Sequence, residues 1–215
     1  MPQPQPQPSR AEEGPLTQAE RTALSDRRMF EAAIELINEF GTRKMTLKEI
    51  GERAGYSRGL ASYRFGSKDG LLQELFVRFD RRWKDHLGER LQGKRGIEAI
   101  HAGIHAQRDF FRSEPGYLRA MYLLWYESLG HESDIRGTLA DHHAIYRKDA
   151  REWIEAGIED GDISPTIDAE QFAVRYCAFM FGTIYQWLVD ADSLDIDRLF
   201  ADYEKHIMTI LRSGV

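Results

Sequence analysis

The sequence predicts an all-α chain of about nine helices, in which three at the amino-terminal side lead into a larger helical bundle. Three observations carry this. Apolar residues recur at spacings of three and four, no segment after residue 41 alternates with a period of two, and beyond that point proline occurs only at Pro115 and Pro165. With 42% hydrophobic and 11% aromatic residues, the 215-residue chain can fill one core of this size plus a smaller one.

The elements follow in order. Pro2 to Pro8 alternates proline with glutamine and has neither the basic start nor the apolar core of a signal peptide, so residues 1–20 are expected to form a disordered tail. Phe30, Ala33, Ile34, Ile37 and Phe40 give helix one its buried stripe. Thr46 and Glu49 have the spacing of a capping box, so helix two starts there; Leu47, Ile50 and Ala54 share a face, and Gly55 supplies the backbone freedom that ends it. Ser57 is the expected cap of a short third helix, Arg58 to Phe65, and Gly66-Ser67 closes that helix and caps the next at Lys68. Leu71, Leu72, Leu75, Phe76, Phe79, Trp83 and Leu87 then form the stripe of a longer fourth helix. After a break at Gly93 to Gly96, further helices are expected at 97–113, 117–129, 134–160, 168–189 and 195–212. The expected division is residues 21–67 for a helix-turn-helix domain and 68–215 for a larger helical domain.

Charge is segregated along the chain. Its net charge is −6, yet residues 41–68 hold seven basic side chains (Arg43, Lys44, Lys48, Arg53, Arg58, Arg64, Lys68) against two acids (Glu49, Glu52). A basic helix, glycine turn, helix unit in an acidic chain is the electrostatic footprint of a phosphate contact, although a solvated basic face gives the same composition.

These residues resemble the amino-terminal domain of tetracycline-repressor-like (TetR) transcriptional regulators. The matching stretch runs from about Arg28 to Leu72 and includes Glu39-Phe40-Gly41, Thr46 to Ala54, Gly55-Tyr56-Ser57-Arg58-Gly59, Phe65-Gly66-Ser67-Lys68-Asp69 and Leu71-Leu72. It departs from the family pattern at Ser62, where a tyrosine is usual and Tyr63 follows one position later, at Met45 and at Gly51, where alanine is frequent and glycine weakens the helix slightly. The resemblance implies DNA contacts at Thr46, Arg58, Tyr63 or Ser62, and Lys68. The chemistry agrees: Thr46 and Lys68 open helices, where amides, hydroxyl or ammonium meet phosphate, and the Arg58 fork suits a guanine edge. Leu60 either meets a thymine methyl or packs inward with Tyr63. Lys48, Ser57 and Arg64 complete the candidate set.

The resemblance also implies a small-molecule pocket in the middle helices, where Phe110, Phe111, Met121, Tyr122, Trp125, Tyr126, Trp153, Tyr176 and Met180 are the candidate lining. Arg108, Arg119 and Arg147 are expected in solvent. The last two helices carry apolar stripes, Phe172, Phe179, Thr183, Ile184 and Trp187 on one and Leu199, Phe200, Tyr203, Ile207 and Ile210 on the other, and the implied role is a homodimer interface. His101 and His105 are four apart, and His142-His143 lie on another helix, with Glu127 and Asp141 as possible oxygen ligands. No metal motif of established spacing is present, so neither metal nor cofactor is expected. No phosphate-cradling glycine loop, Gly-x-Ser-x-Gly or Cys-His arrangement argues for catalysis. The single cysteine, Cys177, reads as a small hydrophobe, and with no apolar stretch of about 20 residues no membrane is expected, which points to the cytoplasm. The expected function is therefore a DNA-binding regulator, a repressor released from a palindromic operator by a small-molecule effector. The alternative is a helical ligand-binding or enzymatic protein with a vestigial DNA-binding module.

Overall fold

The computed structural model describes residues 16–130 and 134–214. The tail expected over residues 1–20 falls, as far as residue 15, outside the described residues, and residues 18–20 already belong to the first helix. The described residues form α1 (Gln18–Lys44), α2 (Leu47–Arg53), α3 (Leu60–Phe65), α4 (Lys68–Leu91), α5 (Gly96–Ser113), α6 (Pro115–Ser128), α7 (Asp134–Asp160), α8 (Ala169–Val189) and α9 (Ile196–Ser213).

Thr17 and Glu20 form a capping box that starts α1 well ahead of Phe30. Regular helix stops at Gly41, whose φ of 76° only glycine adopts readily, and residues 42–44 turn toward α2. Phe40, expected in the buried stripe, is instead 53% exposed; Met29, Ala32 and Leu36 join Phe30, Ala33 and Ile37 inside. The Thr46–Glu49 capping box forms as the spacing demanded. Helix three is shorter than expected. Its cap is Gly59, with no side-chain bond, because the Ser57 carbonyl accepts the Leu60 N–H and Ser57-Arg58-Gly59 form the turn itself. A Cβ on Gly51 would sit 3.0 Å from that same Ser57 carbonyl, so the glycine that weakens α2 is what lets the turn close.

Every member of the α4 stripe from Leu71 to Leu87 is buried. At about 1.5 Å per residue, its 24 residues make a rod of about 36 Å that starts at the helix-turn-helix unit and runs into the bundle. There α5 packs on α4, α7 and α9, α7 packs on α8, and α6 packs on α1. The buried side chains form one continuous core from Met29 to Leu211, with Phe76, Phe111 and Phe200 among the largest fully enclosed. At roughly 1.5–3 kcal/mol for each such large apolar side chain, shared burial holds the two parts together.

Candidate nucleic-acid interface and effector cavity

The start of α2, the turn and α3 present one continuous polar face. Thr46, Lys48, Ser57, Arg58 and Ser62 are exposed on it, and Tyr63 stands 89% exposed on α3. An aromatic ring left in solvent on a helix of six residues is not a core residue, which removes the inward-packing alternative for Tyr63. Leu60, half-buried and packed against the core, takes that place. Arg58 lies in the turn before α3, not in its first helical turn, and pairs with exposed Glu52. Such a surface pair is weak enough to exchange for a DNA contact.

Two basic residues expected on this face are engaged elsewhere. The Arg64 guanidinium is held between Asp26 of α1 and Glu74 of α4, with Nη2 to Asp26 at 2.8 Å and Nη1 to Glu74 at 3.0 Å. The bidentate fork fixes α3 against both neighbours, so Arg64 is corrected from DNA contact to brace. Lys68 directs its ammonium to the carbonyls of Thr42 and Arg43, each at 3.3 Å, where a cation meets the carbonyl end of α1.

In the bundle, Phe79, Trp83 and Leu87 of α4, Gln107 and Phe110 of α5, Leu118 and Trp125 of α6, Tyr146, Asp149 and Trp153 of α7, and Tyr176, Cys177, Met180, Phe181 and Ile184 of α8 enclose a cavity of about 50 Å³. Five of the nine expected lining residues are there: Phe110, Trp125, Trp153, Tyr176 and Met180. The other four lie outside this lining. Phe111 and Met121 are buried in the core outside this lining, Phe111 edge-on to Phe200. Tyr122 donates to the Phe181 carbonyl at 3.0 Å, and Tyr126 points its half-exposed ring at Tyr185. Tyr146, an aromatic of the same middle helices, joins the lining, whereas sequence periodicity missed Asp149, since a carboxylate among aromatics carries no periodic signal. Asp149 is the one charged side chain of the lining, and desolvation raises its carboxyl above the usual range. The Trp125 indole N–H and the Tyr146 hydroxyl are buried without a hydrogen-bond partner among the described residues.

The family of bacterial regulatory proteins, tetR family, matches residues 30–75, the span from the middle of α1 into α4. Over 180 residues the chain is 27% identical to the HTH-type transcriptional regulator BetI 1 of Chromohalobacter salexigens, covering 80% of this chain and 83% of that one. It is 35% identical to BetI of Escherichia coli over 111 residues, spanning about half the length of each protein, 50% of this chain and 56% of that one. Residues 30–75 thus form a DNA-binding unit of the tetR type. Solved tetR-type structures share the fold at lower identity. The SmeT–triclosan complex superposes with a TM-score of 0.70 and 19% identity over 84% of this chain and 89% of that one. NalD, the secondary repressor of the MexAB-OprM multidrug efflux pump in Pseudomonas aeruginosa, gives 0.67 and 18% over 87% and 96%. The protein is thus a DNA-binding transcriptional regulator whose amino-terminal unit is of the tetR type, and no helix among its described residues is long and apolar enough to cross a membrane.

In this chain two cavity walls reach the DNA-binding unit directly. α4 carries Phe79, Trp83 and Leu87 in the cavity and Lys68 on the end of α1. α6 carries Leu118 and Trp125 in the cavity, while Glu127 accepts from the Thr42 hydroxyl and the Gly116 carbonyl accepts from Asn38 at 2.9 Å. Glu127, weighed at first only as a metal ligand, therefore belongs to this seam.

The two stripes expected at the dimer interface divide. Phe172, Thr183, Ile184, Phe200 and Ile207 are buried within their own protomer, because α8 closes the cavity and α9 packs on α5. Phe179, Trp187, Leu199, Tyr203 and Ile210 are half-buried, with Phe179 stacked on Tyr203. The apolar surface left outward on α8 is Val174, Ala178, Tyr185 and Val189, at helical spacings of four, seven and four.

Proposed function

We propose that the protein is a cytoplasmic homodimeric repressor that binds a two-fold operator and is released by a small molecule entering the α4–α8 cavity. One observation carries the reading: the helices that wall the cavity also hold the Gly41–Lys44 turn, and that turn leads straight into the capping box of α2. The cavity of about 50 Å³ is far below the roughly 300–1,000 Å³ of a ligand site. An effector enters only by separating α4 and α6 from α7 and α8. Separation pulls on Lys68 and Glu127 and re-aims α2 and α3, which changes the distance between the two recognition helices of a dimer from the roughly 34 Å that successive major grooves demand.

The lining selects the effector's chemistry. Its aromatic walls suit an apolar body, the unpartnered Trp125 N–H calls for an acceptor, and Asp149 favours a donor or a positive charge. The dimer uses the outward face of α8 around Val174, Ala178, Tyr185 and Val189. The test is fluorescence anisotropy on the DNA upstream of the protein's own gene at two salt concentrations. The expected result is tight, salt-sensitive and sequence-selective binding that Glu127→Gln leaves intact in the ligand-free protein. Equal affinity for that DNA and for a scrambled duplex refutes the reading.

A further inference from the structure

Away from both sites, one seam holds a cluster that the function described so far does not use. α5 and α9 run side by side, with Phe111 against Phe200 between two polar clasps. At one end Arg112 binds Asp197 at 2.9 Å. At the other, His101 and His105, one turn apart on α5, both direct Nε2 at Oε1 of Glu204 on α9, at 2.9 and 3.2 Å, with the two rings stacked at 4.4 Å.

The two clasps differ in chemistry. Arg112 and Asp197 form an ordinary ion pair. In the histidine clasp two imidazoles share a single carboxylate oxygen. The three ligand atoms lie within 4.8 Å of one another. An ion bound at about 2.0–2.2 Å by imidazole nitrogen and carboxylate oxygen places its ligands roughly 3–3.5 Å apart. The two nitrogen–oxygen separations already fall near that range, and the two ring nitrogens, within 4.8 Å of each other, are brought to it by side-chain rotation. Two imidazoles and one carboxylate are a donor set for zinc and its first-row neighbours, and they leave further positions open to water. Side-chain exposures of 57% for His101, 27% for His105 and 21% for Glu204 give an entry path and a partly enclosed floor.

We propose that His101, His105 and Glu204 form a binding site for a divalent first-row transition metal, zinc by preference, which clamps α5 to α9. The clamp has a consequence for the fold. α5 carries Gln107 and Phe110 of the cavity wall, while α9 stacks Tyr203 on Phe179 of α8. The bound ion therefore fixes the α5 wall against the helices that close the cavity from the other side.

The experiment uses full-length protein stripped with a chelator and titrated with zinc chloride by calorimetry and with cobalt chloride by visible absorption. The expected result is saturable binding of one ion per chain, a visible cobalt band and a raised Tm. His105→Ala and Glu204→Gln should each weaken binding by at least about tenfold, while His143→Gln leaves it unchanged. Far-UV circular dichroism of the metal-free variants shows that they fold. No saturable zinc binding tighter than about 100 µM overturns the proposal. So does a folded His101→Ala/His105→Ala variant that binds zinc with the stoichiometry and affinity of the parent.

Discussion

Replacing Arg64 with alanine separates a brace from a DNA contact, because the two roles leave different marks. The guanidinium makes five contacts of 2.8 to 3.1 Å to Asp26 and Glu74. The Asp26 side chain is 10% exposed, so the substitution strands a nearly buried carboxylate. Removing one partner of a buried pair costs about 3–5 kcal/mol. Two features lower that here: Arg64 is itself 33% exposed, and Arg78 stands 3.8 Å from Asp26 and takes up part of its charge. About 2 kcal/mol remains, which at about 2–4 °C per kcal/mol for a chain of this size lowers Tm by about 4–8 °C. Binding to DNA is read at 10 °C, where the variant stays folded, as the slope of log K against log salt. Each lost phosphate contact reduces that slope by about 0.9, and a brace contributes none. The expected outcome is a lower Tm with an unchanged slope. A Tm within about 1 °C of the parent together with a slope reduced by about 0.9 would refute the reasoning and return Arg64 to the DNA surface.

Tyr63→Ala should do the reverse. At 89% exposure the ring contributes little to stability, so Tm stays within about 1 °C while affinity for the operator falls at least fivefold in a gel shift; unchanged affinity removes Tyr63 from the interface. Stability should also fall as the pH drops from 7.5 to 5.5. Burial holds the imidazoles of His142 and His143 below the ordinary histidine range, so the unfolded chain takes up protons first and is stabilised relative to the folded one as pH falls through about 6.5. Thermal unfolding of His142→Gln/His143→Gln should show a smaller loss over that interval, and a loss equal to the parent's contradicts it.

How much of this was legible depended on whether the cause lay within about four residues. The Thr46–Glu49 capping box, the positive φ of Gly55 and Gly66 and the buried stripe of α4 were all readable, because caps, glycine turns and a 3.6-residue period are local. The cap of α3 was misread for a physical reason. A glycine forms it, and a missing side chain leaves no signal. Phe40 broke the stripe because Gly41 ends the regular helix just beyond it, while the aromatic residues were readable as large apolar groups but not as cavity or core.

The sequence by itself determined that the chain is helical, that its basic charge collects on a helix-turn-helix unit, and that this unit resembles tetR-family regulators. Only the tertiary structure decided what each long-range partner does. It turned Arg64 inward because Asp26 and Glu74, far away in the chain, both reach it. It set Asp149 among aromatic walls, joined Glu127 to the turn after Gly41, and supplied Glu204 to His101 and His105. Each of these depends on two helices meeting at one angle and register. That geometry comes from burying a shared core, to which many residues contribute a little and no short stretch contributes a signature.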